Sequence, residues 1–415
     1  MGPQREAEKI GVLFISSAEH PGADTFIHML IMRALDRAQF DVHVACSAGP
    51  ADARTPGYEA LAAIPDLHLY EANFGPSLSS HSLSGKLRQI LGVPAIAASF
   101  AALARYVRAH NIQVLHSTDR PRDAVACAIL GKLTGAKSIV HAHLKCADWM
   151  GRPLRWAMGQ SDAVVAISKF VAGSLVECGY SASRVHTVLN AIDLPRWDPA
   201  IDPLPVRQAL GIPAGAPVVM TAGRLFPAKG QHEVVRAVAA VRHEFPDIRL
   251  LVVGRDDLQV MRTSFTEELK ALARELGLAD RVMFLGQRSD MPELMAACDV
   301  FALPSIEEPF GLVYAEAMAM KRPVLALANG GAPEVVDHGR SGLLSDTDDR
   351  RTLADHLAAL LRDPALRTTM GEYGRQQVEA RFTAQRMAAD TGQLYASLIS
   401  SPAHQSVLAR SGAHY

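Results

Sequence analysis

The stretch Val300-Phe-Ala-Leu-Pro-Ser-Ile-Glu-Glu-Pro-Phe-Gly-Leu-Val-Tyr-Ala-Glu316 predicts a buried β-strand, a loop and a helix in immediate succession. Its first four residues are apolar, which is typical of a strand covered on both faces. Glu308 precedes a proline and is biased towards an extended backbone, and Gly311 begins the helix. Ligands bind at the carboxyl ends of parallel strands, and the free N–H groups of a helix start attract anions. The stretch therefore predicts a binding site on a parallel α/β sheet.

The two glutamates of this stretch, Glu308 and Glu316, are candidate ligand contacts. Glu308, next to Glu307, can equally be an ordinary surface residue. Glu316 is harder to explain in that way, because it is the one charged residue between Pro309 and Met320. A carboxylate on so apolar a helix needs a polar partner if it is buried. A ribose diol would provide one, and so would a structural ion pair.

Short apolar runs that predict β-strands alternate with helical patterns along the chain. This alternation predicts doubly wound α/β domains with parallel sheets. Residues 72–94 interrupt the pattern and are expected to form a long loop with a short amphipathic helix at 83–91. The predicted strands lie at 10–15, 42–46, 114–116, 138–143, 163–167, 185–188, 218–221, 250–253, 282–285, 300–303 and 324–328.

The chain length of 415 residues exceeds what one hydrophobic core supports and predicts about two or three domains. Prolines crowd the middle of the chain, at Pro195, Pro199, Pro203 and Pro205. We place the domain boundary there, so that the first domain covers residues 1–195 and the second begins at 196. Residues 401–415 lack periodicity and are expected to be a flexible tail.

The composition excludes several classes of function. A net charge of −1 gives no electrostatic reason to expect a nucleic-acid partner. No run reaches the roughly 18 apolar residues of a membrane span. The cysteines, Cys46, Cys127, Cys146, Cys178 and Cys298, form no C-x-x-C pair. We interpret them as buried free thiols, neither a zinc cluster nor a disulfide framework, in a soluble cytoplasmic protein.

A second loop, Gly223-Arg224-Leu-Phe-Pro-Ala-Lys229-Gly230, follows a predicted strand and begins a helix. Gly223 allows close approach of the backbone. The Arg224 guanidinium is a planar donor suited to phosphate, and Lys229 adds a second positive charge. A solvated basic loop is the alternative interpretation. The loop is not a P-loop, because G-x-x-x-x-G-K-[ST] is missing.

Two histidines, His141 and His143, alternate on one predicted strand and so share one face of the sheet. Their position at the end of the strand favours a role in a binding site about as much as a core role. Zinc would need a third ligand, and none is apparent in the sequence. Asp346 and Asp348 match a short D-x-D metal pattern, but helix capping explains them better. The sequence therefore predicts no metal site.

Taken together, these segments resemble the retaining glycosyltransferases of family 4, which have the GT-B architecture. The similarity covers most of the chain and rests on an ordered set of short motifs. The set comprises Asn190-Ala-Ile-Asp193, Gly223-Arg224-Leu225 with Lys229-Gly230, Ala302-Leu-Pro-Ser305, Glu308 with Glu316, and Asn329-Gly-Gly-Ala-Pro-Glu-Val-Val336. It implies two Rossmann-like domains facing each other across a cleft. It also implies a donor domain at 196–384, and a final helix at 385–400 that returns to the N-terminal, acceptor-side domain.

The resemblance also implies roles for individual residues. Arg224 and Lys229 are expected to hold the donor diphosphate, Glu308 the hydroxyls of the transferred sugar, and Glu316 the ribose. His143 is expected near the sugar and, with Arg224, Lys229 and Glu308, forms the predicted catalytic set. Members often carry two glycines in the first loop, where this chain has Gly22-Ala23. The remaining predicted donor-binding residues are Gly22, Ala23, Gly223, Gln287, Arg288, Phe310, Gly311 and Leu312.

The expected activity is transfer of a hexose-type sugar from a nucleotide-diphosphate sugar to an acceptor hydroxyl, with retention, and without a metal or other cofactor. The acceptor is expected to be a small molecule, a glycan or a lipid carrier. Peripheral membrane contact for a lipid acceptor is an alternative that rests only on the apolar residues at 83–91. A nucleotide-sugar epimerase and a non-catalytic nucleotide-sugar binding protein remain alternative functions.

Overall fold

The computed structural model describes residues 9–50, 52–75, 83–257, 263–346 and 350–400. The chain divides into two compact units. One comprises Met1–Asn190 with Ala384–Tyr415, and the other comprises Ala191–Thr383. Each unit is built around one parallel sheet, so the α/β fold class predicted from the alternating strands and helices is confirmed.

The first unit contains a seven-stranded parallel sheet in the order β3-β2-β1-β4-β5-β6-β7. The direction of the strand order reverses at β1 and β4, which lie side by side. Its elements are β1 Ile10–Ser16, α1 Ala23–Ala34, β2 Phe40–Cys46, α2 Pro56–Ala62, β3 His68–Glu71, α3 Leu83–Ala109, β4 Ile112–Thr118, α4 Pro121–Thr134, β5 Lys137–Ala142, α5 Arg152–Gln160, β6 Ala163–Ala166, α6 Lys169–Glu177 and β7 Val185–Thr187.

The second unit contains a six-stranded parallel sheet in the order β10-β9-β8-β11-β12-β13. This is the doubly wound order in which the direction reverses between the first and fourth strands, here β8 and β11. Its elements are α7 Leu204–Ala209, β8 Val218–Ala222, α8 Gln231–Val241, β9 Arg249–Val253, α9 Phe265–Glu275, β10 Val282–Gly286, α10 Met291–Ala297, β11 Val300–Ala302, α11 Leu312–Ala319, β12 Val324–Leu327, α12 Ala332–Val335, β13 Gly342–Ser345, α13 Arg350–Arg362 and α14 Pro364–Arg381.

The central strands are buried on both faces, which explains their uninterrupted apolar sequences. In β1, the four consecutive residues Val12, Leu13, Phe14 and Ile15 are each 0% exposed. Successive side chains of a strand point to opposite faces, so helices must cover both faces of the sheet. Burying each such side chain contributes roughly 1.5–3 kcal/mol, and this stabilises the edge that carries the loops.

The last described helix, α15 Ala384–Ser400, packs against α1 of the first unit. Gly392 lies against the ring of Phe40, where a Cβ would come within 3.0 Å of the ring. Tyr395 is fully buried, and its hydroxyl is hydrogen-bonded to Nδ1 of His116. The expected return of the final helix to the N-terminal domain is therefore confirmed.

Two strands and one helix differ from the sequence prediction. The strands β3 and β13 were not predicted, because β3 is a half-exposed edge strand and β13 is only four residues long. The expected loop with a short helix at 83–91 is wrong, since α3 runs from Leu83 through Pro94 to Ala109. Its side chains before Pro94 lie outside the described residues. Of the helices that the structure describes, none is both long and apolar enough to span a membrane.

The interpretation of all five cysteines as free thiols is also wrong. Cys146, in the loop after β5, forms a disulfide with Cys178 at the end of α6. The spacing of 32 residues between them gave no signal, because the pair is brought together only by the packing of α6 beside the sheet. Cys46, Cys127 and Cys298 are buried free thiols, as expected. The cysteines therefore no longer support a reducing compartment.

Candidate functional site

Most of the predicted donor-site residues of the second unit lie on loops that leave the carboxyl edge of its sheet. Gly223 and Arg224 follow β8, and Glu308 lies between β11 and α11. These two strands are neighbours at the point where the strand order reverses. In open α/β sheets the crevice outside such a switch point is the usual ligand site. The topology therefore brings together the two loops that the sequence singled out.

The loop after β8 is fastened directly to the loop after β11. The backbone N–H of Ile306 donates a hydrogen bond to the carbonyl of Ala228 at 2.8 Å. Gly230 has a left-handed backbone (φ +74°), and a Cβ there would lie 2.2 Å from the carbonyl oxygen of Pro304. Only glycine permits this approach. The two loops therefore form one rigid surface in which each holds the other in place.

Lys229 and Glu308 form an ion pair between these two loops. Lys229 Nζ donates to Glu308 Oε2 at 2.6 Å, and the side chains are only 16% and 11% exposed. The sequence assigned Lys229 to the diphosphate and Glu308 to the sugar, without pairing them. In the structure the Lys229 ammonium and the Glu308 carboxylate lie together, largely buried, where the loops after β8 and β11 meet. The pair therefore joins the two loops by a side-chain contact as well as through their backbones.

Arg224 is paired with an acidic residue that the sequence analysis missed. Its Nη1 donates to the carboxylate of Asp257, which follows β9 and is 6% exposed, while the Arg224 side chain is 59% exposed. Asp257 holds the guanidinium at the sheet edge and leaves donors directed to solvent. The signal that could have found Asp257 was its position in the loop that follows an apolar strand, which the structure places beside β8.

Two glycines set the position of Glu308. Gly331 donates its N–H to the carbonyl of Glu308 at 2.7 Å. A Cβ on Gly330 would lie 2.7 Å from the backbone nitrogen and oxygen of Glu308, and a Cβ on Gly331 would lie 2.5 Å from the carbonyl oxygen of Pro309. The close approach is to the loop that carries Glu308.

The start of α11 presents the predicted anion-binding backbone. Gly311 is the N-cap residue with φ +92°, and Leu312 begins the helix. The N–H groups of Leu312 and Val313 precede the first helical hydrogen bonds and are available to an anion. Phe310 was predicted to bind the donor, but its side chain is 1% exposed and packs edge-on against Phe382. Only the backbone of Phe310 remains available for that role.

Glu316 lies one turn into α11 and has no hydrogen-bonding partner among the described residues. Burial raises the pKa of its carboxyl group to about 7, although the positive charge of Arg196 acts in the opposite direction. The structural ion pair that we considered as an alternative is therefore absent from the part of the chain that the structure describes. A half-buried carboxylate without a protein partner is a typical ligand contact.

Gln287 and Arg288 follow β10, two strands away from β8 along the same edge. Gln287 is exposed, and Arg288 is bound by Asp290 through Nε at 2.8 Å and also through Nη2. Gly254 follows β9, and its backbone lies very close to the loop after β8. A Cβ at this position would be 1.9 Å from the carbonyl oxygen of Gly223. Gln287 and Arg288 are therefore positioned at the outer part of the edge.

In the first unit, the loop after β1 carries Gly22 and Ala23 at the start of α1. Gly22 is the N-cap residue, and Ala23 is exposed at the first helical position. Asp24, in the first turn, does not cap this helix. Instead its carboxylate forms a fork with the guanidinium of Arg120, which follows β4. The Asp24 carboxylate is thus engaged by Arg120, and no described side chain caps the start of α1.

His143 follows β5 at the same edge of the first sheet. Its backbone N–H donates to the Asp119 carboxylate at 2.8 Å, and its Nε2 is buried without a hydrogen-bonding partner among the described residues. Burial lowers the pKa of the His143 ring, although the carboxylates of Asp119 and Asp24 oppose this. The ring is therefore neutral near pH 7. His141, the other histidine of the predicted pair, is 0% exposed and lies 4.5 Å from His143, ring centre to ring centre.

Of the two aspartates of the D-x-D pattern, Asp346 is exposed after β13, and Asp348 lies outside the described residues.

Known families match both units of the chain. The family described as Glycosyltransferase Family 4 matches residues 22–196, and the family described as Glycosyl transferases group 1 matches residues 205–377. A D-inositol 3-phosphate glycosyltransferase of Corynebacterium urealyticum is 37% identical over 235 residues, which cover 55% of this chain and 55% of that protein. The chain therefore spans about half the length of this relative.

Two further similarities extend over more of the chain. An N-acetyl-alpha-D-glucosaminyl L-malate synthase of Bacillus anthracis is 27% identical over 77% of this chain and 84% of its own length. The crystal structure of Anabaena Alr3699/HepE in complex with UDP and glucose has 26% sequence identity and a TM-score of 0.73. It covers 94% of this chain and 100% of that one. Two matched domains and the shared GT-B fold lead to one conclusion: the chain belongs to the glycosyltransferases that combine a family 4 domain with a group 1 domain.

Proposed function

We propose that this protein transfers a hexose-type sugar from a nucleotide-diphosphate sugar to an acceptor hydroxyl. The observation that carries the proposal is the joined surface of the second unit. There Lys229 and Glu308 pair at 2.6 Å beside the start of α11. A cation and helix N–H groups suit a diphosphate, and a carboxylate suits sugar hydroxyls. Glu316, without a protein partner, is suited to a ribose diol.

The diphosphate is the group whose departure this site is built to assist. When the bond between the sugar C1 and the phosphate oxygen breaks, negative charge grows on the leaving group. Arg224, Lys229 and the N–H groups at Leu312 are fixed before the reaction begins. Donors placed in advance where charge develops are usually the largest contribution to catalysis. We assign the main rate enhancement to these groups.

We propose that transfer retains the anomeric configuration. Glu308 is ion-paired with Lys229 and is therefore a poor nucleophile for a covalent intermediate of the kind that retaining glycosidases form. The acceptor oxygen would instead form its bond to C1 on the face that the diphosphate leaves. The acceptor proton would pass to the departing phosphate oxygen, so that charge and atoms balance without a metal ion.

His143 of the first unit is proposed to contact the transferred sugar. Because burial lowers the pKa of its ring, the imidazole is neutral and can exchange hydrogen bonds with a hydroxyl. Gly22 and Ala23 provide the open N–H groups of α1 for a donor phosphate. Gln287 and Arg288 are proposed to lie near the base, and the acceptor is a small molecule, a glycan or a lipid carrier.

A thermal-shift screen of UDP-, GDP- and ADP-sugars tests the proposal. A donor at 100 times its dissociation constant should add about 2.7 kcal/mol to the free energy of unfolding. Arg224→Ala should abolish most of the shift. Arg249→Ala should not, because Arg249 begins β9 at the opposite edge of the same sheet. Absence of a shift with every donor would overturn the donor assignment.

Product analysis then separates transfer from its alternatives. Release of nucleoside diphosphate that depends on an acceptor, and that survives EDTA, is expected for the proposed enzyme. Conversion of the donor to another sugar without any acceptor would identify an epimerase. Tight donor binding without turnover over a broad set of acceptors would identify a binding protein.

A further inference from the structure

Four imidazole rings meet inside the first unit, where α1 crosses β4 and β5. His28 lies on α1, His116 on β4 and His141 on β5, while His143 follows β5. The ring centres are 4.7 Å apart for His28 and His116, 5.4 Å for His28 and His141, and 4.5 Å for His141 and His143. The exposed fractions of His28 and His141 are 2% and 0%. The cluster is therefore part of the interior, next to the sheet edge.

All four rings carry at least one buried nitrogen that no described residue satisfies. These nitrogens are Nε2 of His28, Nε2 of His116, both Nδ1 and Nε2 of His141, and Nε2 of His143. His116 differs, because its Nδ1 is hydrogen-bonded to the hydroxyl of Tyr395. An unsatisfied buried polar group costs about 1–3 kcal/mol, and native proteins rarely leave several together. The concentration of unpaired nitrogens at one point indicates a missing partner that several of these rings share.

The three rings are close enough to share one ion. One nitrogen from each of His28, His141 and His143 lies within 4.8 Å of the other two. Zinc binds imidazole nitrogen at about 2.0–2.1 Å in tetrahedral sites, and ring movements on the order of 1 Å would bring the nitrogens to that distance. His143 is only half-buried, so an ion can enter from the sheet edge.

We propose that His28, His141 and His143 form a binding site for one late transition-metal ion, such as Zn²⁺, with its fourth position open. Neutral imidazole is a preferred ligand of zinc, copper and nickel. The sequence offered only His141 and His143. The missing third ligand is His28, which sequence spacing could not reveal because it comes from α1.

Metal binding also has a consequence for activity, and this consequence rests on the proposed function. If His143 contacts the transferred sugar, an ion on its Nε2 withdraws that ring from the substrate. Micromolar Zn²⁺ is therefore expected to lower turnover, and EDTA to restore it. This differs from a catalytic metal, whose removal lowers activity.

The direct test is titration of the full chain with Co²⁺, followed by its visible d–d absorption, with Zn²⁺ as competitor. One ion per chain is expected. His28→Gln should weaken Co²⁺ binding on the order of 100-fold or more. Removing a residue that binds the metal directly costs more affinity than removing a residue that only hydrogen-bonds to such a ligand. His68→Ala is the matched control, because His68 belongs to a second potential group with Asp41 and His43. In that group the Asp41 carboxylate already contacts both His43 and His68.

The outcomes separate clearly. No Co²⁺ binding, equal binding by His28→Gln, or loss of binding in His68→Ala would each overturn the site. Circular dichroism checks the fold of His28→Gln, with His141→Asn as a second variant. If neither folds, wild-type crystals soaked in Zn²⁺ decide. An anomalous peak bonded to the three rings supports the site, and no such peak refutes it. None of these readouts needs transferase activity, so failure of the proposed function would leave them intact.

Discussion

Lys229 donates a 2.6 Å hydrogen bond to the carboxylate of Glu308 across 79 residues of sequence. This pair couples two groups that we assign to different parts of the donor. In the ligand-free protein, the carboxylate neutralises the charge that a diphosphate would otherwise use. Donor binding is therefore expected to replace the Glu308 carboxylate by the diphosphate as the partner of Lys229. Variants of Glu308 test this exchange.

Glu308→Gln is expected to leave nucleoside diphosphate affinity unchanged or to increase it, because Lys229 loses a competing carboxylate. Use of the sugar donor should fall, since the sugar hydroxyls lose an ionised acceptor. Calorimetry with the nucleoside diphosphate and turnover with its sugar measure the two effects. Glu372→Gln removes the carboxylate of the Lys321–Glu372 pair away from this surface and is the control. Equal loss of both affinities in Glu308→Gln would contradict its assignment to the sugar.

Arg224→Ala and Lys229→Ala should each slow turnover on the order of 10²–10³-fold, by analogy with removal of one oxyanion donor. The growing charge of the leaving diphosphate strengthens these contacts in the transition state, so turnover should fall more than donor affinity. Arg224→Lys should restore activity only partly, because lysine lacks the planar fork that Asp257 holds in place. Near-normal turnover in folded variants would mean that the diphosphate is held elsewhere.

Glu316→Gln should stabilise the ligand-free protein at pH 8 but not at pH 4. Burial raises the pKa of this carboxyl group to about 7 in the folded state, against an ordinary value of 4.5. The free energy of unfolding is therefore highest below pH 4.5, where the Glu316 carboxyl group is protonated in both states, and it falls as the pH rises from 4.5 through 7. The loss is at most about 3 kcal/mol. Unfolding curves at both pH values measure it, with Glu267→Gln on the exposed face of α9 as control.

Glu316→Gln should also weaken nucleoside diphosphate binding if Glu316 accepts hydrogen bonds from a ribose. Higher stability together with weaker binding would be the signature of a ligand contact. Unchanged affinity for every nucleoside diphosphate would contradict the ribose assignment even if the stability change is observed.

The Cys146–Cys178 disulfide predicts a redox-dependent melting temperature. Closing a loop of 32 residues stabilises a protein by about 3–4 kcal/mol in the chain-entropy description. Reductant should lower the melting temperature of the wild-type protein but not that of a variant with both Cys146→Ser and Cys178→Ser. Thiol titration of the denatured, unreduced protein should find three thiols. Five thiols would show that the pair is open in solution.

His143→Ala should lower turnover more than it lowers donor affinity, because the ring is assigned to the sugar and not to the diphosphate. Initial rates and donor dissociation constants, measured without added metal, give the comparison. Intact turnover in a folded His143→Ala protein would make this histidine structural. In that case His141→Ala becomes the informative variant.

The sequence predicted the buried strands well because their composition is dictated by burial on both faces. β8 and β11, with no exposed residue, are examples. It failed at β3, whose two middle residues are half-buried and whose two end residues are exposed. Pro94 suggested the end of a loop, yet α3 passes through it. A proline sets its local backbone but does not decide whether tertiary packing continues a helix around it.

The sequence identified the individual loops of the candidate site, but it did not identify which side chains of different loops pair with each other. Glycines and charges after strands located Arg224 and Glu308. The Lys229–Glu308 and Arg224–Asp257 pairs depend on which strands are neighbours, which no local pattern contains. The role of Gly330 was visible only once the backbone of Glu308 was found pressed against it. His28 was missed because a histidine in an apolar helix has no local signal.

The attachment of α15 to the first unit has a consequence for synthesis on the ribosome. The second unit, Ala191–Thr383, is continuous in sequence and can complete its core as soon as it emerges. The first unit must wait for Tyr395, whose hydroxyl closes on His116. The ribosome adds about 5–20 residues per second, so the interval between the synthesis of Asn190 and that of Tyr395 is roughly 10–40 s. The first unit, whose strands are all synthesised before the second unit begins, is thus expected to complete its packing only after the second unit has emerged.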